Sequence, residues 1–218
     1  MLHGASSAFH GVDINPCDAR LLVTANQEEG VSLIDFRKPN TPILAYGTKV
    51  RKRSAMCAKF STNGTKIFAL GRRLNPVLYD MAHPKALVEF DHPGYFNSCT
   101  MKSGTFGENY VFSGSDNFAV YGWRLPDEVI DPEVDQTQYV KRAQFVLHGH
   151  RSIVNQVRFN SAYSILATSG KAFNFPKYIK LESKTSSSSS INRHILYCQY
   201  AVFTKKTKFD FDSCFFTH

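Results

Sequence analysis

Several things are scarce in this 218-residue sequence. It has one tryptophan, and its five cysteines (Cys17, Cys57, Cys99, Cys198, Cys214) are odd in number and never spaced as Cys-x-x-Cys. That pattern argues against a zinc knuckle or a disulfide framework and for a reducing compartment. No run approaches the roughly 18 consecutive apolar residues of a membrane helix. The start MLHGASSAFHGV lacks the basic-then-apolar order of a secretory signal. Nucleus or cytoplasm is the expected location, with no membrane partner. His83 and His92 each stand beside a proline with no second ligand at metal spacing, so they are expected in turns, and neither a metal nor a cofactor is implied. Acidic residues number 18 against 26 basic ones, a formal net charge of +8. The basic residues cluster in KVRKR at 49–53, GRR at 71–73, KR at 141–142 and KK at 205–206. Clusters of this kind serve as solvated loop charge, or they attract nucleic acid or an acidic protein.

What is present is a repeat. Turn signals between alternating apolar runs recur at Asn15-Pro16-Cys17-Asp18, at Ser61-Thr62-Asn63-Gly64, near Ser103 to Gly107 and at Asn160-Ser161. Their period is about 40 to 45 residues, the length of a four-stranded propeller blade, with one longer interval that holds the acidic PDEVIDPEVDQTQ. Within each period AFHGVDI, AMCAKFS and IVNQVRFN precede the turn, whereas RLLVTAN, KIFALG, NYVFSGS and SILATSG follow it. GVSLIDF, PVLYDM and FAVYGWR come next as third strands. These runs are rich in Val, Ile, Phe and Thr and partly alternate with period two, which predicts short antiparallel strands. Residues 1–170 therefore read as all-β, a partial propeller of about four blades.

The character changes after Gly170. A serine run, Pro176 at the place of a third strand and the absence of turn spacing predict an irregular, Ser-containing tail over 171–218. The closing FDFDSCFFTH is too aromatic for an ordinary solvated tail and fits either an abnormal chain end or a short docking segment.

In WD40 blades a His before the first strand, a Ser or Thr on the second, an Asp in the next turn and a Trp on the third form a buried hydrogen-bonded set. Pairing of buried polar groups is what such a set achieves. The sequence resembles this pattern at His150 with Thr168, at Ser113 with Trp123 ten residues on, and at Thr24, where the same interval ends on Ile34. Glu28 and Asn117 stand where the turn Asp is expected, and Ile34 and Tyr79 where Trp is expected. His150, Asp116 and Ser113 could be assembled on paper into a catalytic triad, but no G-x-S-x-G elbow or other nucleophile context accompanies them. The blade network accounts for them, and no enzyme is expected.

SAFHGVDINPCDARLLVTANQEEGVSLIDFRKP, NGTKIFALGRRLNPVLYD, GYFNSCTMKSG, VFSGSDNFAVYGWRLP and LHGHRSIVNQVRFN together resemble, in the same order, the propeller of the DCAF family. Its members are WD40 substrate receptors of cullin-4 RING ubiquitin ligases. The likeness covers roughly residues 5–170. It implies a non-catalytic scaffold that docks on the ligase adaptor, the large subunit of the damaged-DNA-binding protein, and recruits protein substrates. The family's adaptor motif is Trp-Asp-x-Arg at the end of a third strand. Asp35 and Arg37 match it and Ile34 replaces the Trp; Arg124 belongs to a poorer copy without the Asp. Closed propellers have typically 4 to 8 blades, so an incomplete propeller from a longer receptor is expected. The competing reading is a WD40 scaffold that binds peptides, RNA or chromatin through KVRKR and GRR, with Tyr46, Phe60 and Phe68 interleaved.

Overall fold

The computed structural model describes residues 8–47, 54–127 and 136–170 in full, and the backbone alone of strands Lys177–Glu182 and Ile195–Gln199. The described residues form strands and turns without a helix. The first sheet is β1 (Phe9–Ile14), β2 (Leu21–Asn26), β3 (Gly30–Asp35) and β4 (Leu44–Tyr46) in that order. The second holds β5 (Cys57–Phe60), β6 (Lys66–Leu70), β7 (Val77–Asp80) and β8 (Ala86–Phe90). The third is built from β9 (Gly104–Phe106), β10 (Tyr110–Gly114), β11 (Val120–Arg124) and β13 (Phe145–Leu147). In the fourth, β14 (Val154–Asn160) and β15 (Ile165–Gly170) are followed by β16 (Lys177–Glu182) and β17 (Ile195–Gln199).

The long interval in the sequence has a structural use. Its residues Gln138–Val140 form β12, which runs parallel beside β8 and gives the second sheet a fifth strand. Asp91 N–H donates to Val140 O at 2.8 Å and the Thr137 hydroxyl to Ala86 O at 3.0 Å, so an otherwise open strand edge is covered. The third hairpin turns at 107–109, where Gly107 N–H bonds Tyr110 O, because the Ser103 to Gly107 stretch is largely taken up by β9. Sheet pairing continues beyond residue 170 through β16 and β17; the rest of 171–218, with the KK at 205–206, lies outside the described residues, as do KVRKR and residues 128–135.

The core lies between sheets rather than within them. Val23, Ala25, Val31 and Leu33 of the first sheet meet Ala58, Phe60, Ile67 and Tyr79 of the second. Phe68, Leu78, Val88 and Phe90 meet Val111, Tyr121 and Trp123, and Phe112 and Phe145 meet Val157 and Leu166. Period-two alternation makes this possible, since each strand sends one set of side chains to the preceding sheet and the other to the following one. Tyr46, Phe60 and Phe68 are buried in these layers, which removes them from any nucleic-acid surface.

Each first strand pairs on one side only, so alternate backbone N–H groups point away from its sheet. The preceding sheet answers them with side chains. Phe60 N–H donates to Asp13 Oδ2 at 2.9 Å, and Lys59 Nζ sits 2.6 Å from Asp13 Oδ1. Gly104 N–H reaches Cys57 Sγ at 3.5 Å. Val157 N–H donates to Ser103 Oγ at 3.0 Å, and Phe159 N–H makes a longer 3.4 Å bond to Thr105 Oγ1. The positions correspond: Cys57 and Ser103 occupy one register, and Asp13 and Thr105 another two residues later. On β1 itself the equivalent residues Val12 and Ile14 are 56% and 62% exposed. At the strand ends Asn15 adds a further tie, its amide donating to Gly64 O at 2.9 Å. A Cβ on Gly64 would lie 2.3 Å from Asn15 Oδ1, and φ there is +69°.

Removing one cap tests this arrangement. Ser103→Ala leaves the buried Val157 N–H without an acceptor and is expected to cost about 1–3 kcal/mol in urea unfolding. Ser103→Cys, which copies the Cys57 junction, is expected to recover part of that loss.

Candidate functional site

Two polar systems follow from this frame: networks that pin the blades, and charged groups at the strand ends. His150 Nε2 lies 2.7 Å from Thr168 Oγ1, so the expected pair is brought together in the fourth blade. In the third blade Ser113 Oγ is 3.1 Å from Tyr95 OH, and Asn97 Nδ2 donates to the same hydroxyl at 3.1 Å. Tyr95 packs edge-on against Trp123 with ring centroids 5.2 Å apart, and Trp123 Nε1–H donates to Asp91 O at 2.8 Å. Trp123 and Ser113 thus share Tyr95 as neighbour. Burial pushes the Tyr95 phenol well above its ordinary value, opposed by its hydrogen bonds to Ser113 and Asn97. In the first blade Thr24 Oγ1 donates to Ser32 O at 3.4 Å, and the buried Ile34 stands at the Trp position.

Tyr95 stands where the blade pattern has a histidine, and the sequence reading did not include it. The available signal was an aromatic hydroxyl in GYFN at the distance from the second strand where His150 precedes Thr168: both pairs are 18 residues apart. Asp116 is also engaged elsewhere. It pairs with the buried Lys102 and accepts from Ser98 and Cys99 N–H. Burial raises its pKa, but Lys102 and the two N–H groups outweigh that and hold it below the ordinary carboxylate range. The members of the paper triad therefore have separate partners: Lys102 for Asp116, Tyr95 for Ser113 and Thr168 for His150. Among the described residues no group of three or more His, Cys, Asp or Glu is placed to hold a metal.

The charged system lies where β3 ends. Arg37 folds back on Asp35: its backbone N–H and Nε both donate to Oδ1 at 2.9 Å, and Nη2 donates to Oδ2 at 2.6 Å. Asp35 is drawn down to about 2, first by the side-chain hydrogen bond from Arg37 and then by the backbone one. The Arg37 side chain is exposed, and the clip engages its Nε and Nη2 on one edge of the planar guanidinium. Beside it stands an equal unit that sequence reading passed over. Arg20 donates through its N–H and Nε to Asp18 Oδ1 at 3.0 and 2.8 Å, and Nη2 to Oδ2 at 2.7 Å. The identical Asp-x-Arg spacing was the available signal. Phe36 N–H bonds Arg20 O at 3.0 Å, which joins the two units across the hairpin. Arg124 is clipped by Asp127 instead.

The clip has a titration signature. Asp35 has a depressed pKa, so its pairing holds above the ordinary carboxylate value and is lost only as pH falls toward about 2. In Arg37→Ala, carbon-detected NMR of the side-chain carboxyl is expected to show Asp35 titrating close to its ordinary 3.8.

No protein-family profile matches the chain. Among curated proteins, human DDB1- and CUL4-associated factor 5 is 51% identical over 168 residues, 75% of this chain and 18% of that protein. The mouse protein of the same name is 50% identical over 168 residues, 75% of this chain and 17% of that protein. The chain thus spans less than a fifth of the length of these relatives. Among solved structures, the computationally designed Ika4 protein superposes with a TM-score of 0.61 at 13% identity, covering 82% of this chain and 94% of that one. A chain of Chaetomium thermophilum Polycomb Repressive Complex 2 bound to GSK126 gives 0.66 at 16% identity, over 85% of this chain and 42% of that one. These likenesses concern fold alone, and with the four sheets, antiparallel apart from β12, they make the architecture an incomplete WD40 propeller. The resemblance to the DCAF family agrees with these matches, both of which are to its fifth member. Three quarters of the chain is therefore homologous to a segment of DDB1- and CUL4-associated factor 5, carried on an incomplete WD40 β-propeller.

Proposed function

We propose that the chain acts as a non-catalytic scaffold, part of a substrate receptor that docks on the adaptor of a cullin-4 RING ubiquitin ligase in nucleus or cytoplasm. The observation that carries this reading is the Asp35-clipped Arg37 on a strand end, within a segment about half identical to proteins named for association with DDB1 and CUL4. A guanidinium held by its own carboxylate loses little freedom on binding. Its exposed planar fork suits carbonyl or carboxylate acceptors on a partner. Ile34 in place of Trp preserves the burial that anchors the strand end, since it is nearly inaccessible to water.

Such a receptor forms and breaks no bonds. Holding a client beside the ligase turns encounter of lysine and charged ubiquitin into an intramolecular event at high effective concentration. Arg20 extends the same surface, and the two clips form one rigid pair because both are anchored on the β2–β3 hairpin.

Arg37→Ala in the full-length gene product is expected to reduce co-purification of the adaptor by about tenfold or more, the size of a lost hot-spot contact. Undiminished capture removes Arg37 from docking. Arg20→Ala is expected to give a smaller loss, and its unfolding midpoint in urea is expected to match the parent.

A further inference from the structure

The opposite rim carries a second surface. Loops that lead into first strands and turns that join second to third strands gather there, and in the third blade they are organised by Asp116. Its N–H donates to Phe96 O at 2.8 Å, and its carboxylate binds Lys102, Ser98 N–H and Cys99 N–H. Ser115 Oγ adds bonds to both N–H and O of Phe96. This knot is buried, yet three bulky apolar side chains on the same segments face water: Phe96 is 55% exposed, Phe118 45% and Met101 43%.

Two arginines border them. From the second blade, Arg72 Nε donates to Ser98 O at 2.8 Å and Arg73 N–H to Asn97 O at 3.2 Å. Both side chains are exposed, and neither has a carboxylate partner among the described residues. Backbone conformation marks the same place. Phe118 has φ of 70° and Arg73 58°, two of the three non-glycine residues with positive φ among the described ones. For a residue as bulky as phenylalanine that conformation costs stability and persists where the surroundings enforce it.

We propose that this rim of the second and third blades docks a protein segment in which a carboxylate lies beside a bulky apolar side chain. Arg72 and Arg73 pair the carboxylate through their planar forks, and Phe96, Phe118 and Met101 cover the apolar group. A single-stranded nucleic acid is the poorer fit. It needs a basic groove that follows its backbone, whereas among the described residues Arg72 and Arg73 both come from the one turn of the second blade and Lys102 is already committed to Asp116. The proposal deepens the receptor reading by naming the chemistry of the client and the side that receives it.

The test uses the full chain with no adaptor present, so its failure and that of Arg37 docking are separate events. A random dodecamer peptide library displayed on phage is panned on the immobilised protein, and enriched peptides are synthesised for fluorescence anisotropy. Enriched sequences are expected to carry Asp or Glu within two positions of Phe, Leu or Trp. Phe118→Gly removes the ring and suits positive φ, so it is expected to fold at least as well as the parent while weakening peptide binding by about tenfold or more. The double variant Arg72→Glu, Arg73→Glu is expected to weaken it equally. The proposal is overturned if nothing is enriched, if enriched peptides lack acidic residues, if Phe118→Gly binds them unchanged, or if oligo-uridylate binds more tightly and is the ligand lost in both variants.

Discussion

The structure depends on what happens to the unpaired edge of each first strand. A strand that pairs on one side leaves alternate N–H groups directed at the next object it meets. Where that object is the preceding sheet, a buried N–H without an acceptor would cost about 1–3 kcal/mol. Asp13, Cys57, Ser103 and Thr105 each accept one such N–H from the following blade. The acceptors differ in chemistry, a carboxylate, a thiol and two hydroxyls, but their register repeats. Because the apolar layers also lie between sheets, no blade is complete without its neighbour, and stability is a property of junctions.

The polar networks obey the same requirement with a loose choice of residues. His150 with Thr168 and Tyr95 with Ser113 place a ring-borne donor or acceptor against a second-strand hydroxyl. Tyrosine performs this task at the cost of a larger volume, which the T-shaped contact with Trp123 absorbs. Asn117 fills the place of the turn Asp and donates to Gly94 O and Tyr121 OH, while its neighbour Asp116 pairs with Lys102 and ties down the loop before β9. Departures from the repeat consensus are thus substitutions of means within one end, the satisfaction of buried polar groups.

Rigid junctions leave the strand ends as platforms. On one rim two Asp-x-Arg clips present guanidinium groups whose planes are fixed before any partner arrives. On the other, apolar side chains stand on a buried ionic knot beside arginines that have no acidic partner among the described residues. The proposed receptor role would use two such separate faces, and strands of about 15 to 20 Å keep them apart.

Period and alternation made the four blades legible in the sequence, and in the first two blades the first three strands fall where the apolar runs predicted; the first strand of the third blade lies on a stretch read as a turn, and the third strand of the fourth lies in the stretch read as an irregular tail. His150 and Thr168 were legible through the blade pattern and are in contact, whereas Asp35 and Arg37 were singled out by the family motif that they resemble. Other features had no local signature. The fourth strands are short, β12 pairs across a long sequence gap with β8, and the Asp13 to Phe60 and Ser103 to Val157 bonds join residues roughly a blade apart. The sequence by itself determined the repeat, the all-β class and the Asp-x-Arg units, because these rest on neighbours along the chain. Only the tertiary structure decided that Tyr95 serves where histidine was sought, that Asp116 belongs to Lys102, and which aromatic rings face water. Those outcomes depend on which side chains the stacked sheets bring within bonding distance, and on how much water each junction excludes.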